Sequence, residues 1–325
     1  MAGLPRPPHS LVTSLLLALL LVSAPPPPCS LAQQLLPLPN SDLSALRSLK
    51  DSLTDLPGSS FFSSWDFSSL GPCLSFSGLT CSPSMLLLSP GIVTGPIPPQ
   101  LGLLRELRVL SLPHNRLTGP IPESLSLLPN LHTLDLSFNQ LSASVPAGLP
   151  SIPTLKVLVL ADNLLSGSLP SVSSPLLHLD LSRNLLTSGI PPQLPTSLSQ
   201  PPGSRTLQPG LGGRPQPQRL DRELDGGPGE GVETLFLNNN HLKGAVPAEY
   251  VESMYQGRTR TLFLQHNYLT SFPLDNGTAL PESATLCLSY NCMAPPVGVT
   301  GCPVSAGDQL SRPSLQCSAY GGGGR

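Results

Sequence analysis

The stretch LRVLSLPHNRLTGPIP, residues 107–122, decides the fold of this chain. Its pattern, LxxLxLxxNxLxGxIP, can be indexed by its asparagine, which is Asn115 in this copy. An upstream copy has Gly91 in the asparagine slot. Further copies follow at spacings of 24, 24, 21, 56, 27 and 24 residues, centred on Asn139, Asn163, Asn184, Asn240, Asn267 and Asn291. Such self-similarity predicts a repeat protein of about eight stacked units.

The chemistry of the motif predicts how each unit folds. Leu110 and Leu112 alternate with residues expected to be exposed, which is typical of a short strand with one buried face. One unit cannot bury these leucines alone, whereas stacked units share a continuous core. The asparagine is expected to turn inward and to hydrogen-bond backbone groups that would otherwise be buried and unpaired. Gly119 and the Ile121-Pro122 pair mark the following turn.

Composition excludes several classes of protein. The 325 residues include 41 prolines and 68 leucines, and only 11% of residues are charged. Because proline lacks a backbone donor, so many prolines exclude a mostly helical domain. The leucine content excludes simple disorder, which requires low hydrophobicity and high charge. A formal net charge of −2 argues against a nucleic-acid partner, since no phosphate-neutralising patch is available.

The N-terminus predicts secretion. Residues 11–22 form an apolar run that follows Arg6 and is too short to span a bilayer, which is the pattern of a signal peptide. Cleavage is expected after Ala32, with cleavage after Ala24 as the alternative. No second long apolar run follows. We therefore expect a mature chain that does not insert into a membrane and that is secreted to the extracellular space or cell wall.

The cysteine count supports the cleavage after Ala32. That cut removes Cys29 and leaves an even number of cysteines, which in an oxidising compartment predicts three disulfides. The six that remain are Cys73, Cys81, Cys287, Cys292, Cys302 and Cys317. The sequence leaves the connectivity among the last four open.

The repeat resembles the plant-specific class of leucine-rich repeat, whose unit carries an LTGPIP-type segment, here at residues 117–122 and 93–98. Residues 41–53 have leucines at helical spacing and precede Trp65 and the pair Cys73 and Cys81, which resembles the N-terminal cap of plant extracellular leucine-rich-repeat proteins. The resemblance implies an α/β solenoid: a curved right-handed superhelix with parallel strands on the concave face and disulfide-bonded caps.

The domain boundaries follow from this resemblance and from composition. Residues 195–231 contain 7 prolines, 8 glycines and no aromatic residue, which predicts a disordered insertion. A functional island, a degenerate repeat and a gene-model artefact remain alternatives for this segment. The expected parts are a signal peptide (1–32), an N-terminal cap (33–82), repeats one to five (83–194), the insertion (195–231), repeats six to eight (232–293), and a C-terminal cap with a flexible tail (294–325).

The exposed strand positions of a solenoid form columns across its concave face, and these columns supply the candidate binding residues. Several are aromatic residues or arginines, which are enriched at interfaces; the competing interpretation is that strands favour aromatics in any case. The candidates are Arg108, His132, Asp135, Phe138, Lys156, Asp180, Arg183, Phe236, Asn238, Arg260, Phe263, Gln265 and Tyr290. Of these, Arg108, His132 and Lys156 form a basic column that could meet an acidic partner.

No pattern of catalytic or metal-binding residues is found. Asp135 and Asp180 fall in one column two repeats apart, at about 10 Å by strand spacing, which is beyond the usual separation in inverting glycosidases. The histidines lack the spacing of metal ligands. We therefore expect neither an enzyme nor a cofactor. The sequon at Asn276 predicts a glycosylation site.

The resemblance implies a recognition protein, similar to receptor-like protein ectodomains. Such a protein binds a protein or peptide ligand on its concave face in signalling, development or defence, and a membrane receptor kinase is a candidate partner. The alternative is an extracellular inhibitor of cell-wall-degrading enzymes of the polygalacturonase-inhibitor type, whose members usually have more repeats and more cap cysteines. A structural role in the cell wall would require serine–proline blocks, which the mature sequence lacks.

Overall fold

The computed structural model describes residues 38–68, 72–81, 84–87, 92–192, 232–274, 278–296, 302 and 310–321. The predicted signal peptide, the predicted insertion, Gly91 and the sequon asparagine Asn276 lie outside the described residues.

Short strands dominate the described chain. They are β1 (Thr54–Asp55), β2 (Leu79–Cys81), β3 (Ser84–Leu87), β4 (Val93–Pro96), β5 (Val109–Ser111), β6 (Arg116–Pro120), β7 (Thr133–Asp135), β8 (Gln140–Ser142), β9 (Val157–Val159), β10 (Ser166–Gly167), β11 (His178–Asp180), β12 (Leu185–Leu186), β13 (Thr234–Phe236), β14 (Lys243–Ala245), β15 (Thr261–Phe263), β16 (Tyr268–Ser271) and β17 (Thr285–Cys287).

Helices are few and short. They are α1 (Asn40–Ser52), α2 (Pro72–Ser75), α3 (Ala248–Tyr255) and α4 (Ser314–Gly321), together with 3-10 turns at Phe61–Ser64, Pro99–Leu103, Glu123–Leu127 and Leu149–Ser151.

The main sheet has the order β17-β15-β13-β11-β9-β7-β5-β3-β2. Its strands are parallel except β2, which pairs with β3 antiparallel. The register aligns the central leucine of every repeat, as Leu110 pairs with Leu134 and Leu134 with Leu158. These leucines are fully buried. The predicted curved solenoid with parallel strands on its concave face is thus confirmed, and a core of stacked leucines runs along its length.

A second set of strands lies on the other side of each repeat, and the sequence did not predict it. β4, β6 and β8 form a parallel sheet that β1 joins antiparallel, and β10–β12 and β14–β16 form parallel pairs. The turn that follows carries one apolar residue into the core, such as Ile121. In the repeat of Asn267 this residue is Phe272, which is also buried, so the altered motif there keeps the same role.

The motif asparagines join neighbouring repeats. Asn139 is buried, and its Oδ1 accepts a hydrogen bond of 3.0 Å from the backbone N–H of Leu117 in the preceding repeat. Its Nδ2 donates at 3.0 Å to three carbonyls, those of Leu112, Leu136 and Ser137. The same hydrogen bond, from a backbone N–H of the preceding repeat to the asparagine Oδ1, is found at Asn115, Asn163, Asn184, Asn240, Asn267 and Asn291. The asparagines therefore form a ladder through the solenoid.

The N-terminal end is closed by α1 and an aromatic cluster. Leu46 and Leu49 of α1 are buried, in agreement with the predicted helix. Trp65 is fully buried, stacks on Phe76 at 4.9 Å and donates from Nε1 to the carbonyl of Ser77. Lys50 donates to the carbonyl of Trp65 at 2.7 Å. These contacts shield the first leucines of the core from water.

Cysteines stabilise both caps. Cys73 is disulfide-bonded; its predicted pairing with Cys81 involves a side chain outside the described part, so it stays a prediction. At the other end the bonds are Cys287–Cys302 and Cys292–Cys317. The structure thereby supplies the connectivity that the sequence left open.

Removing one ladder asparagine should destabilise the protein strongly. We expect Asn139→Ala to lower the free energy of unfolding by about 2–4 kcal/mol, because one N–H and up to three carbonyls lose a buried partner. Urea unfolding followed by circular dichroism measures this change. As a control, Asn130→Ala removes one exposed hydrogen bond to the carbonyl of Arg105 and should cost under about 1 kcal/mol. Equal losses in the two variants would contradict a structural ladder.

A second prediction concerns a strained turn. Ala143 has a φ of 65°, at a position where other repeats have glycine, such as Gly119 with a φ of 76°. Since a Cβ disfavours this conformation, Ala143→Gly should raise the free energy of unfolding by about 0.5–1 kcal/mol. Gly119→Ala should lower the free energy of unfolding. A Cβ there meets no atom within 4 Å, so the only cost is that of holding an alanine at a positive φ. Thermal unfolding of both variants checks the opposite signs.

Candidate functional site

In-register pairing builds two outward-facing columns on the main sheet. Each three-residue strand buries its central leucine and turns its first and third side chains to the face, where only the third residue of β17, Cys287, is itself buried among these described strands. Pairing of β9, β11, β13 and β15 aligns these third residues across the sheet. From the N-terminal end the column of third residues is Ser111, Asp135, Val159, Asp180, Phe236, Phe263 and Cys287. Neighbouring side chains in this column are separated by about 4.8 Å.

The middle of the face is apolar and aromatic. The rings of Phe236 and Phe263 lie 5.0 Å apart, and the ring of His178 packs edge-on against Phe236 at 5.6 Å. All three side chains are half-buried, as is Val159 on the neighbouring strand. The arrangement leaves an aromatic surface that a partner side chain can cover.

Two aspartates on the face have the same local geometry. Asp135 Oδ1 accepts from the backbone N–H and the hydroxyl of Ser137, at 3.0 and 2.6 Å. Asp180 Oδ1 accepts from the same two groups of Ser182, at 2.9 and 2.6 Å. The LDLS segments thus fix both carboxylates against the turn after the strand.

His178 and Asp180 occupy one strand and have shifted pKa values. Burial raises the pKa of Asp180 from 3.8 to about 6, which the bonds from Ser182 oppose and the charges of Asp162 and Asp135 reinforce. Burial lowers the pKa of His178 from 6.5 to about 4. At neutral pH the strand therefore presents a neutral imidazole beside a carboxylate.

One edge of the sheet is lined by residues in a left-handed backbone conformation, which the sequence analysis missed. The residue before each ladder asparagine has a φ between 52° and 59°. Their side chains interact along the edge: His114 stacks on Phe138 at 4.0 Å, and Arg183 pairs with Asp162 at 3.5 Å. The full series is His114, Phe138, Asp162, Arg183, Asn239, His266 and Tyr290.

The opposite edge holds the predicted basic column. The backbone N–H of His132 donates to the carbonyl of Arg108, and that of Lys156 to the carbonyl of His132. The three residues therefore line up immediately before β5, β7 and β9. Arg108 is exposed, and the other two side chains are half-buried. Arg260, farther along, lies 3.8 Å from Glu233.

The structure therefore separates the predicted binding residues. Asp180, Phe236 and Phe263 are neighbours on the face, whereas Phe138 and Arg183 lie on the left-handed edge. All candidates other than Gln265 are accessible to solvent. Four are exposed, namely Arg108, Phe138, Arg183 and Arg260. The others are half-buried, namely His132, Asp135, Lys156, Asp180, Phe236, Asn238, Phe263 and Tyr290.

The prediction of an exposed Gln265 is wrong, because its side chain is only 4% exposed. The equivalent position, two residues before the ladder asparagine, is also buried at Ser137, Ala161, Ser182 and Ser289, so the repeat itself turns this residue inward. Ser289 lies where the C-terminal segment approaches, with Cys302 Sγ 3.7 Å from its Oγ. Tyr290 is also engaged there, since the guanidinium of Arg312 lies over its ring at 4.6 Å and over Tyr268 at 4.1 Å.

Within the described ranges, no three or more His, Cys, Asp or Glu side chains are grouped so that they could hold a metal ion. Among the helices that the structure describes, none is long and apolar enough to cross a membrane.

The comparisons with known proteins agree with this architecture. Residues 39–82 match the model for a leucine rich repeat N-terminal domain, 105–151 that for leucine rich repeats in two copies, and 175–197 that for a leucine rich repeat. No curated protein sequence matches the chain at a significant level.

Two solved structures are similar over most of the chain, and a third matches about half of it. The PEPR1–AtPEP1 structure has 25% identity and a TM-score of 0.52; the match covers 78% of this chain and 35% of that one, so this chain spans about a third of its length. A plant ice-binding protein shares the fold, at 23% identity and a TM-score of 0.54 over 79% of this chain and 81% of that one. The BIR3–SERK2 complex from Arabidopsis thaliana matches at 39% identity over 47% of this chain and 87% of that one, with a TM-score of 0.43.

The opposite pKa shifts of Asp180 and His178 predict opposite effects of pH on stability. Since the folded pKa of Asp180 lies above 3.8, its ionisation opposes folding, and stability is lost as pH rises from about 4 to 6. Since the folded pKa of His178 lies below 6.5, its protonation opposes folding, and stability is lost as pH falls from 6.5 to 4. In the wild type the two effects offset each other.

Asp180→Asn should therefore stabilise the protein at pH 7 by about 2 kcal/mol relative to wild type, and most of that gain should vanish at pH 4. Urea unfolding at both pH values measures the difference. His178→Gln serves as the control with the opposite sign, because it should reduce the loss of stability below pH 6.5. A stability difference between Asp180→Asn and wild type that is the same at both pH values would refute the desolvation of Asp180.

Proposed function

We propose that this chain, which carries leucine rich repeats after a leucine rich repeat N-terminal domain, binds a peptide, or an extended segment of a protein, on its concave face. The observation that carries the proposal is the aromatic centre of that face, where His178, Phe236 and Phe263 adjoin without being fully buried. Aromatic residues dominate binding energy at interfaces because they bury large areas at a small entropic cost.

The continuity of the face supports the same proposal. β11 and β13 pair in register although their repeats are separated by the predicted insertion. The described chain is interrupted after Pro192 and resumes at Val232, two residues before β13. The hydroxyl of the buried Tyr250 in α3 donates to the carbonyl of Pro191 at 2.9 Å and holds the chain just before this interruption. A ligand on the sheet therefore meets one surface.

The edges suit a ligand with charged groups at its sides. Arg108 and Lys156 lie along one edge and Arg183 along the other, while the middle holds aromatic side chains and the carboxylates of Asp135 and Asp180. Such charges guide encounter and orientation more than they add affinity. The PEPR1 structure named above is that of its complex with AtPEP1, which makes a peptide the first class of ligand to test.

The wider role follows from this proposal. We place the protein outside the cell after removal of its predicted signal peptide, acting in signalling, development or defence through a partner such as a membrane receptor kinase. Recognition, rather than catalysis, is the function of the sheet.

The test is capture of ligands by the purified protein and by a variant with Phe236→Ala and Phe263→Ala. Extracellular fluid and solubilised membranes from plant tissue supply the ligands, which mass spectrometry identifies and titration then quantifies. We expect the double variant to lose binding by about tenfold to a hundredfold, as is typical of hot-spot residues.

The matched control is Leu164→Ala with Leu185→Ala, which removes two exposed apolar side chains that lie after the ladder asparagines and off the main sheet. This control should bind its captured ligand as the wild type does. Full binding by the phenylalanine variant would exclude the concave face as the binding surface.

A further inference from the structure

Asp180 lies between an aliphatic and an aromatic side chain. The pairing of β11 with β9 and β13 places Val159 on one side of it and Phe236 on the other. His178, on its own strand, packs against the same phenylalanine ring. The carboxylate is half-buried in this setting, so water reaches it from only part of its surroundings.

The carboxylate has no cationic partner among the described residues. Both of its hydrogen bonds come from Ser182 and end on Oδ1. Arg183, which follows Ser182, pairs with Asp162, and Arg260 pairs with Glu233. In the described part of the chain, Oδ2 of Asp180 therefore accepts no hydrogen bond and faces no neutralising charge.

The surrounding charges make the absence of a partner costly. Asp135 and Asp162 both disfavour ionisation of Asp180. A partly desolvated charge without a counter-ion is unfavourable, and a cation that arrives with a ligand removes that cost. At neutral pH the carboxylate is charged, since its pKa is about 6, and can attract such a cation.

The neighbours of Asp180 select the kind of cation. An arginine or lysine side chain has an aliphatic stem that can pack on Val159, and its charged head gains further from the face of an aromatic ring such as Phe236. Building on the proposed peptide-binding function, we infer that Asp180 binds an arginine or lysine side chain of the ligand, with a neighbouring apolar side chain of the ligand against Phe236 and Phe263.

Asp135 provides a matched control within the chain. Its carboxylate accepts the same two hydrogen bonds from the following serine. It lies between Ser111 and Val159 in the column and has no aromatic neighbour there. Replacing it with asparagine removes a carboxylate of the same local geometry from a place on the face without an aromatic neighbour, so it tests whether a preference for basic residues belongs to Asp180 or to the charge of the face as a whole.

The experiment selects random displayed peptides at pH 7 on the wild type, on Asp180→Asn and on Asp135→Asn. Peptides bound by the wild type and by Asp135→Asn should be enriched in arginine or lysine next to an apolar residue, and Asp180→Asn should abolish this enrichment. For one selected peptide, replacing the basic residue with norleucine should weaken binding to the wild type at least tenfold. The same replacement should change binding to Asp180→Asn less than twofold.

The outcomes separate this inference from the broader proposal. The subsite is overturned if the peptides that bind the phenylalanine-dependent face are not enriched in basic residues. It is also overturned if Asp180→Asn leaves such an enrichment unchanged. In both cases the proposal of peptide binding still stands. If no peptide binds the wild type above background, peptide binding itself is overturned together with the subsite. Circular dichroism of the asparagine variants confirms that each is folded as the wild type is.

Discussion

The hydrogen bonds of the buried asparagines are the interaction on which the rest of the structure depends. A solenoid of short strands leaves backbone groups unpaired wherever each strand turns, and inside a leucine core such groups would be costly. Asn139 shows the solution: it accepts from one repeat and donates to carbonyls of both. Because the bonds cross between repeats, they also set the stagger of successive strands and hence the columns on the concave face.

The same constraint accounts for the left-handed residues along one edge. To bring Asn139 into the core, the backbone reverses at Phe138, which takes a positive φ that non-glycine residues usually avoid. At each turn the strain of the positive φ is offset by the several buried hydrogen bonds that the following asparagine makes. Side chains at these positions are consequently held at a fixed spacing along the rim, where His114 and Phe138 stack and Asp162 meets Arg183.

The sequence predicts the sheet and the core because one spacing of leucines and asparagines determines both, and it predicts α1 because the leucines there recur at helical spacing. It does not predict the burial of Gln265, because the inward turn of the backbone before each asparagine, which also buries Ser137, Ala161, Ser182 and Ser289, is not visible in the spacing. Nor does it distinguish Asp180 from Asp135, which have the same local motif. Val159 adjoins both, so the difference comes from the other neighbour in the column, which is Phe236 for Asp180 and Ser111 for Asp135, that is, from tertiary contacts.

The repeats differ in length, yet their strands stack without a break. The asparagines at 163 and 184 are 21 residues apart, those at 240 and 267 are 27 apart with α3 in the added length, and those at 184 and 240 are 56 apart. The described part of the added length, which includes α3, lies behind the sheet, where Tyr250 meets Pro191. The back of the solenoid can therefore gain or lose chain while the front keeps its spacing, so the two surfaces are free to diverge independently.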